Sequence, residues 1–345
     1  MRTNQNTASE ASDAPEDGFY TEITGAAFEH VVNDDGSRYQ FNPAWRCTGF
    51  ADAANPRIPM RDPNYVFSCS LLQDLLIFLL YPQGTALWLT GPTGCGKTSA
   101  VMQVASRLNW PVVDLTLSNR FEFADIKGQW GLTQEEGQSS PTMKYIWNAL
   151  PMAMRNGWIL VMNEADLASP GELSALNDVI EGRSLLIAEN KGQAVRPHPM
   201  FRLIVTGNSN GAGDDTGLYQ GVQQQNVAAM DRYRMISVSY PSQDVEQGIL
   251  ANATPSIPED IRRRMCQYAS EMRKCFAGAA ARSISIPFST RTLVNWASTL
   301  QFYSMVRTPL RKSLELFFLN KLSPEEREAA DSIATAVFGE AWNPE

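Results

Sequence analysis

Histidine is almost absent from this chain: His30 and His198 are the only two among 345 residues. That leaves little material for a histidine-based metal centre or a Ser/His/Asp triad, and it pushes chemistry toward carboxylates, Lys, Arg and bound Mg²⁺. Cysteine is scarce and odd in number. Cys47, Cys69, Cys95, Cys266 and Cys275 include no Cys-x-x-Cys spacing, so neither a disulfide framework nor a zinc site is indicated. Long apolar runs are missing too. The greasiest, "LLIFLLY" at 75–81, is about a third of the ~20 residues a membrane-spanning helix needs. The N-terminal "MRTNQNTASEASDAPEDG" lacks the apolar core and small-residue cleavage site of a secretory signal. It reads as a disordered tail of about 18 residues, and the sequence predicts a cytoplasmic protein with no membrane contact. Nor is there an excess of positive charge. A net charge of −8 gives no general reason to expect nucleic acid, and the local basic groups, Arg262 to Arg264 and Arg307, Arg311 and Lys312, read as solvated helix faces.

What is present is an apolar fraction, 43%, that supports ordinary buried cores on a length comfortable for two domains. Residues 1–62 form an N-terminal extension, rich in Pro, Asn and Asp after the tail and without a clear period. From "SCSLLQDLLIFLL" a helical apolar repeat runs to about Pro82 and Gly84. Five short β-rich runs follow: "TALWLT", "WPVVDLTL", "GWILVM", "FRLIVTG" and "YRMISVSY". With helical or loop material between them, they predict an α/β domain over 63–240 built on a five-stranded parallel sheet. After Pro241 only helical patterns remain, in "QDVEQGILANA", "EDIRRRMCQYASEMRKCF", "STRTLVNWASTLQFYSMV" and "SPEEREAADSIATAVF". They predict a smaller α-helical domain over 241–345.

Gly91, Pro92, Thr93, Gly94, Cys95, Gly96, Lys97, Thr98 and Ser99 carry the G-x-x-x-x-G-K-[ST] pattern of a P-loop between a strand and a helix. The glycines allow backbone conformations that turn successive N–H groups, and the following helix N-terminus, toward phosphate. Lys97 would meet the β- and γ-phosphates, and the Thr98 hydroxyl would ligate Mg²⁺. Cys95 fills space within the loop or offers a thiol for modification.

"WILVMNEAD" at 158–166 looks like the Walker B strand, four apolar residues that deliver an acidic pair to the sheet end. The usual aspartate is Asn163 here. Its amide oxygen can meet Mg²⁺ through a water, but it brings no charge, so metal affinity and turnover are expected to be weaker. Glu164 is placed to orient or deprotonate an attacking water. Asp166 has two readings: a helix cap, or a carboxylate turned inward to make up for Asn163.

Residues 197–235, "PHPMFRLIVTGNSNGAGDDTGLYQGVQQQNVAAMDRYRM", together with "ASRLNWPVV" and "STRTLVNWA", resemble AAA+ ATPases of the MoxR clade. The similarity is greatest to the CobS type, the ATPase subunit of aerobic cobaltochelatase. It runs over about residues 65–300. Matched position by position, it implies a P-loop NTPase core with a helical lid, ATP and Mg²⁺ as ligands, and three further site residues. Asn208 would be sensor 1, beside the γ-phosphate and the attacking water. Arg232 would be the arginine finger that reaches a neighbouring subunit's nucleotide, and Arg291 would be sensor 2 on the lid. Guanidinium groups stabilise the charge that builds on a transferred phosphoryl group, and an amide can hold a water.

A trans-acting finger implies shared sites and heterologous packing that closes into a ring, a homo-oligomer of six in this family. The resemblance also implies a partner protein with a von Willebrand-like domain. Lys127 and Trp130 either touch that partner or pack on their own domain; residues 184–199 read as a β-hairpin around Asn190 to Gly192. Asp214 and Asp215 read as a solvated turn. Two functions follow: an ATP-driven machine that remodels a partner, or an ATP-gated scaffold that hydrolyses little because of Asn163. A nucleic-acid motor is disfavoured by the acidic charge, and a GTPase by the absence of an Asn-Lys-x-Asp motif.

Overall fold

The computed structural model describes residues 20–134, 141–213, 219, 221–277, 284–303 and 305–342. The expected N-terminal tail and the pair Asp214 and Asp215 lie outside them. Five parallel strands make the central sheet, in the spatial order Tyr233–Ser237, Ala86–Thr90, Arg202–Gly207, Ile159–Asn163, Val112–Thr116. Each of the five predicted runs holds one of them. Because Arg202–Gly207 inserts between Ala86–Thr90 and Ile159–Asn163, the carboxyl ends of three neighbouring strands lie side by side. In an open α/β sheet that is where ligands bind.

Side chains alternate between two buried cores. Leu87, Leu89, Ile159, Val161 and Ile204 pack with the helices Cys69–Leu80 and Lys97–Arg107. Ala86, Trp88, Leu160, Met162, Leu203 and Val205 pack on the other face with Ala149–Asn156. Burial on both faces is why these strands read as continuous apolar runs.

The segment before the sheet also joins the first core. Strand Tyr20–Thr24 pairs antiparallel with Arg46–Phe50, and Phe28, Val31, Cys47, Phe50 and Phe67 are buried with the sheet residues. Tyr20 Oη lies 2.9 Å from His198 Nε2, while the Met200 N–H donates to His198 Nδ1. The strand is thereby tied to the entry of the Arg202–Gly207 strand.

Two hairpins project from the α/β unit. Leu185–Ile187 pairs with Gln193–Val195 around left-handed Lys191, as the sequence predicts. The second pairs Gly128–Thr133 with Thr142–Trp147, where the sequence reading assigns no strand. The helical unit consists of Gln243–Ala253, Glu259–Phe276, Thr290–Leu300, Pro309–Phe317 and Pro324–Phe338. Its core gathers Tyr268, Phe288, Trp296, Phe318, Phe338 and Trp342. Ser242, Ser289 and Ser323 cap three of the helices by accepting backbone N–H groups. The expected helix across "STRTLVNWASTLQFYSMV" stops at Leu300, and Pro309 starts a separate one that the sequence reading did not resolve.

Candidate nucleotide site

The loop Gly91–Gly96 leaves strand Ala86–Thr90 and enters helix Lys97–Arg107. Glycine is required at two of its positions. A Cβ on Gly91 (φ 149°) would sit 1.9 Å from the Val238 carbonyl oxygen, and one on Gly94 (φ 72°) would sit 2.5 Å from Ser289 Cβ at the start of a lid helix. Cys95 is buried, its Sγ 3.4 Å from the Val238 carbonyl oxygen. Burial raises its thiol pKa.

Lys97 Nζ donates to the Gly91 oxygen at 2.5 Å, the Pro92 oxygen at 3.1 Å and Asn208 Oδ1 at 3.3 Å. Thr93 Oγ1 is 3.4 Å from the same Asn208 oxygen. Burial pushes the Lys97 pKa down most; Cys95, Asp166 and Glu164 act upward and Arg291 downward. Of the predicted site residues, Asn208 meets both Lys97 and Thr93, and Glu164 and Arg291 lie within electrostatic reach of Lys97. Exposed Glu164 follows the Ile159–Asn163 strand in a left-handed conformation, φ 55°.

Asn163 is held on every side. Its Oδ1 accepts from Thr98 Oγ1 at 2.6 Å and Thr206 Oγ1 at 3.1 Å. Its Nδ2 donates to Asp114 Oδ1 at 2.5 Å and the Leu115 oxygen at 3.4 Å. The amide orientation follows from its neighbours, because a carboxylate and a carbonyl only accept. Thr98 gives its hydroxyl proton to Asn163 and so keeps its own oxygen lone pairs for a hard cation at the helix N-terminus, where Mg²⁺ would sit beside phosphate with Asn163 behind it. When bound, that ion would neutralise charge on the β- and γ-phosphate oxygens.

Asp166 does neither thing expected of it. Fully buried, its Oδ2 accepts the backbone N–H of Asn208 at 2.6 Å and of Ser209 at 2.9 Å. Its own carbonyl accepts the Gln223 N–H, and Gln225 Nε2 donates to the Ala168 oxygen. The turn that carries Glu164 is therefore bound to the turn that carries Asn208 and to the Gln-rich segment beyond.

Arg232 is elsewhere. Its backbone oxygen accepts the Ala86 N–H, at the start of the P-loop strand, so roughly 16 Å of strand separates it from the same chain's loop. Its side chain pairs with Glu181 at 2.6 Å and with the Ala228 oxygen. Lys127 and Trp130 pack on their own domain: Lys127 pairs with Glu189 at 2.8 Å, and Trp130 Nε1 donates to the Glu189 oxygen.

Sequence reasoning missed how the lid is anchored. Tyr240 Oη donates to the Thr93 oxygen at 2.8 Å, and burial raises its phenol pKa, so it stays a donor. The Arg273 guanidinium lies 4.3 Å from the Tyr240 ring centroid and makes a double ion pair with fully buried Glu246. Thr290 Oγ1 also donates to Glu246. Between this anchor, the P-loop and the segment before the first helix lies a cavity of about 840 Å³. Tyr65, Val66, Ile236, Tyr240 and Val294 are among the apolar and aromatic residues that line it, and Arg291 belongs to its lining.

The dynein-related subfamily of the AAA domain matches residues 86–223, and the CbbQ/NirQ/NorQ C-terminal family matches residues 246–336. The aerobic cobaltochelatase subunit CobS of a Sinorhizobium species is 30% identical over 287 residues, 82% of this chain and 83% of CobS. The chain belongs to the AAA+ ATPases of the MoxR clade. This AAA+ chain is also 25% identical over 174 residues to CbbQ of Hydrogenophilus thermoluteolus, 50% of this chain and 60% of that one. The gas vesicle ATPase GvpN of Haloferax mediterranei is 27% identical over 208 residues, 55% of this chain and 57% of that one. Among the described residues of this AAA+ chain, no helix is long and apolar enough to cross a membrane.

Proposed function

We propose that this AAA+ chain binds and hydrolyses Mg-ATP at subunit interfaces of a homo-oligomeric, hexameric ring, and that the cycle remodels or activates a partner protein. The observation that carries this reading is the division of the site. Lys97, Thr98, Asn163 and Asn208 converge at one end of the sheet, while Arg232 stands at the other end beside Glu181. A guanidinium so placed serves a neighbour's phosphate rather than its own. The phosphates would lie on the Gly91–Thr98 backbone with Lys97 on the γ-phosphate, and Glu164 would orient the attacking water beside Asn208. The base would enter the cavity between Tyr65, Val66 and Val294. Arg291 would follow the phosphates from the lid, whose link to the P-loop through Tyr240 and Arg273 transmits their loss. One relative is named as a subunit of a cobaltochelatase, which supports a protein partner; that the partner carries a von Willebrand-like domain rests on the family resemblance read from the sequence.

Mixing variants tests the shared site. Lys97→Ala and Arg232→Ala subunits, each inactive alone, should regain phosphate release when mixed, because some interfaces then carry both wild-type halves. Mixtures as dead as their parents would refute the shared site. A second reading, an ATP-gated scaffold with little hydrolysis, is favoured by Asn163, whose oxygen is engaged by Thr98 and Thr206 and carries no charge. Phosphate release by the wild type no greater than by Lys97→Ala, at concentrations where it assembles, would select that reading.

A further inference from the structure

The geometry points to Asp114 as the carboxylate that supplies the charge missing from Asn163, acting through the Asn163 amide on the ion held by Thr98. This rests on the proposed Mg-nucleotide site and adds a residue to it. Asp114 lies on the edge strand Val112–Thr116, in register with Val161 and on the same face as Thr116, which is in register with Asn163. Its Oδ1 takes the Asn163 Nδ2 hydrogen at 2.5 Å, while the opposite end of that amide meets the Thr98 hydroxyl at 2.6 Å. The three groups form one line from carboxylate to amide to hydroxyl.

A carboxylate that accepts from the nitrogen of an amide draws the nitrogen lone pair into the C–N bond and enriches the oxygen in negative charge. Hydrogen bonds polarise one another along such a chain, and a unit charge near a divalent ion adds a direct Coulomb attraction, reduced here by Asp114's exposure to solvent. A strand-end aspartate would carry its charge on the metal-facing group itself. Here the same unit of charge stands one side chain back, on the neighbouring strand. Thr206 and the Leu115 carbonyl, which hold the amide's remaining oxygen and hydrogen positions, fix its orientation.

Asp114→Asn keeps an acceptor for the Asn163 nitrogen and removes only the charge. The assay is Mn²⁺ binding to the full chain with saturating ADP, read from the free-Mn²⁺ electron paramagnetic resonance signal, with ADP affinity measured separately without metal. We expect Asp114→Asn to weaken Mn²⁺ binding by about tenfold, to leave metal-free ADP affinity unchanged, and to melt within a few degrees of the wild type. Asp114→Ser, which removes the charge by a different route, should lose a similar amount. The charge-swapped pair Asp114→Asn with Asn163→Asp, which moves the charge onto the metal-facing group, should recover at least the wild-type Mn²⁺ affinity. Unchanged Mn²⁺ affinity in Asp114→Asn overturns the inference, and so does a loss that the charge-swapped pair does not repair. Wild-type protein that holds no ADP and Mn²⁺ together would instead refute the nucleotide site itself.

Discussion

Asp166→Ala is the substitution for which the structure sets the sharpest expectation. The residue has no exposed surface, and its Oδ2 is the acceptor for two consecutive backbone N–H groups, at Asn208 and Ser209. A hydrogen bond to a charged acceptor contributes about 1.5 to 3 kcal/mol, so the two together hold about 3 to 6 kcal/mol. Against this stands the cost of burying the carboxylate, whose Oδ1 has no partner among the described residues. The expected net loss is about 2 to 3 kcal/mol of stability for the turn at 207–210. In Asp166→Asn the amide keeps one acceptor oxygen in place, and the loss should be about 1 kcal/mol. Native-state hydrogen exchange reads this directly. The Asn208 and Ser209 amides should exchange roughly 30- to 150-fold faster in Asp166→Ala, since about 1.4 kcal/mol corresponds to a factor of ten. The Asn208 side chain, which meets Lys97 and Thr93, loses its footing with the turn, and turnover should fall by about ten- to a hundredfold. Exchange and stability within about 0.5 kcal/mol of wild type would show that the carboxylate does not hold the turn.

Cys95 should react with a disulfide reagent at pH 8 more slowly than a free cysteine, because burial shields the sulfur and raises its pKa; a rate like that of the unfolded chain would contradict the packing against Val238. Glu326 accepts the N–H groups of Ser285 and Ser323, which hold its pKa down to about 2. Its folded pKa lies below the unfolded value of about 4.3, so its stabilisation is present above that value and lost as pH falls toward 2. Glu326→Gln should therefore destabilise the helical unit at pH 7 by about 1 kcal/mol at most, given its exposure, and by nothing near pH 2; calorimetry at the two pH values checks the sign. Asn163→Asp sets a second carboxylate against Asp114 and removes the donor to the Leu115 carbonyl, so urea unfolding should show a loss of about 1 to 2 kcal/mol. Equal stability would mean that the amide does not face Asp114.

The sheet and the P-loop were legible because their signals are local. A strand buried on both faces is a continuous apolar run, and the phosphate loop is nine consecutive residues from Gly91 to Ser99. Asn208, Arg232 and Arg291 were named only through family resemblance, since nothing in their immediate neighbours distinguishes them from other strand-end or helix residues. What escaped depends on separation along the chain. Asp166 and Asn208 lie 42 positions apart, Asp114 and Asn163 lie 49, and Thr93 and Tyr240 lie 147. No periodicity reports such pairs. The hairpin at Gly128–Trp147 hid for a different reason: Trp130, Leu132 and Met143 are apolar yet well exposed, so alternation there does not mark a buried face.

The strands ahead of the P-loop do double duty. Phe28, Val31, Cys47 and Phe50 close one side of the sheet, and a few residues on, Asp62, Asn64 and Tyr65 border the cavity. Trimming the chain to the catalytic motifs would therefore leave a greasy wound on the sheet and tear open the chamber in the same cut. Any occupant of that chamber acts as a rivet between front segment and lid, so filling it should toughen both against proteolysis at once.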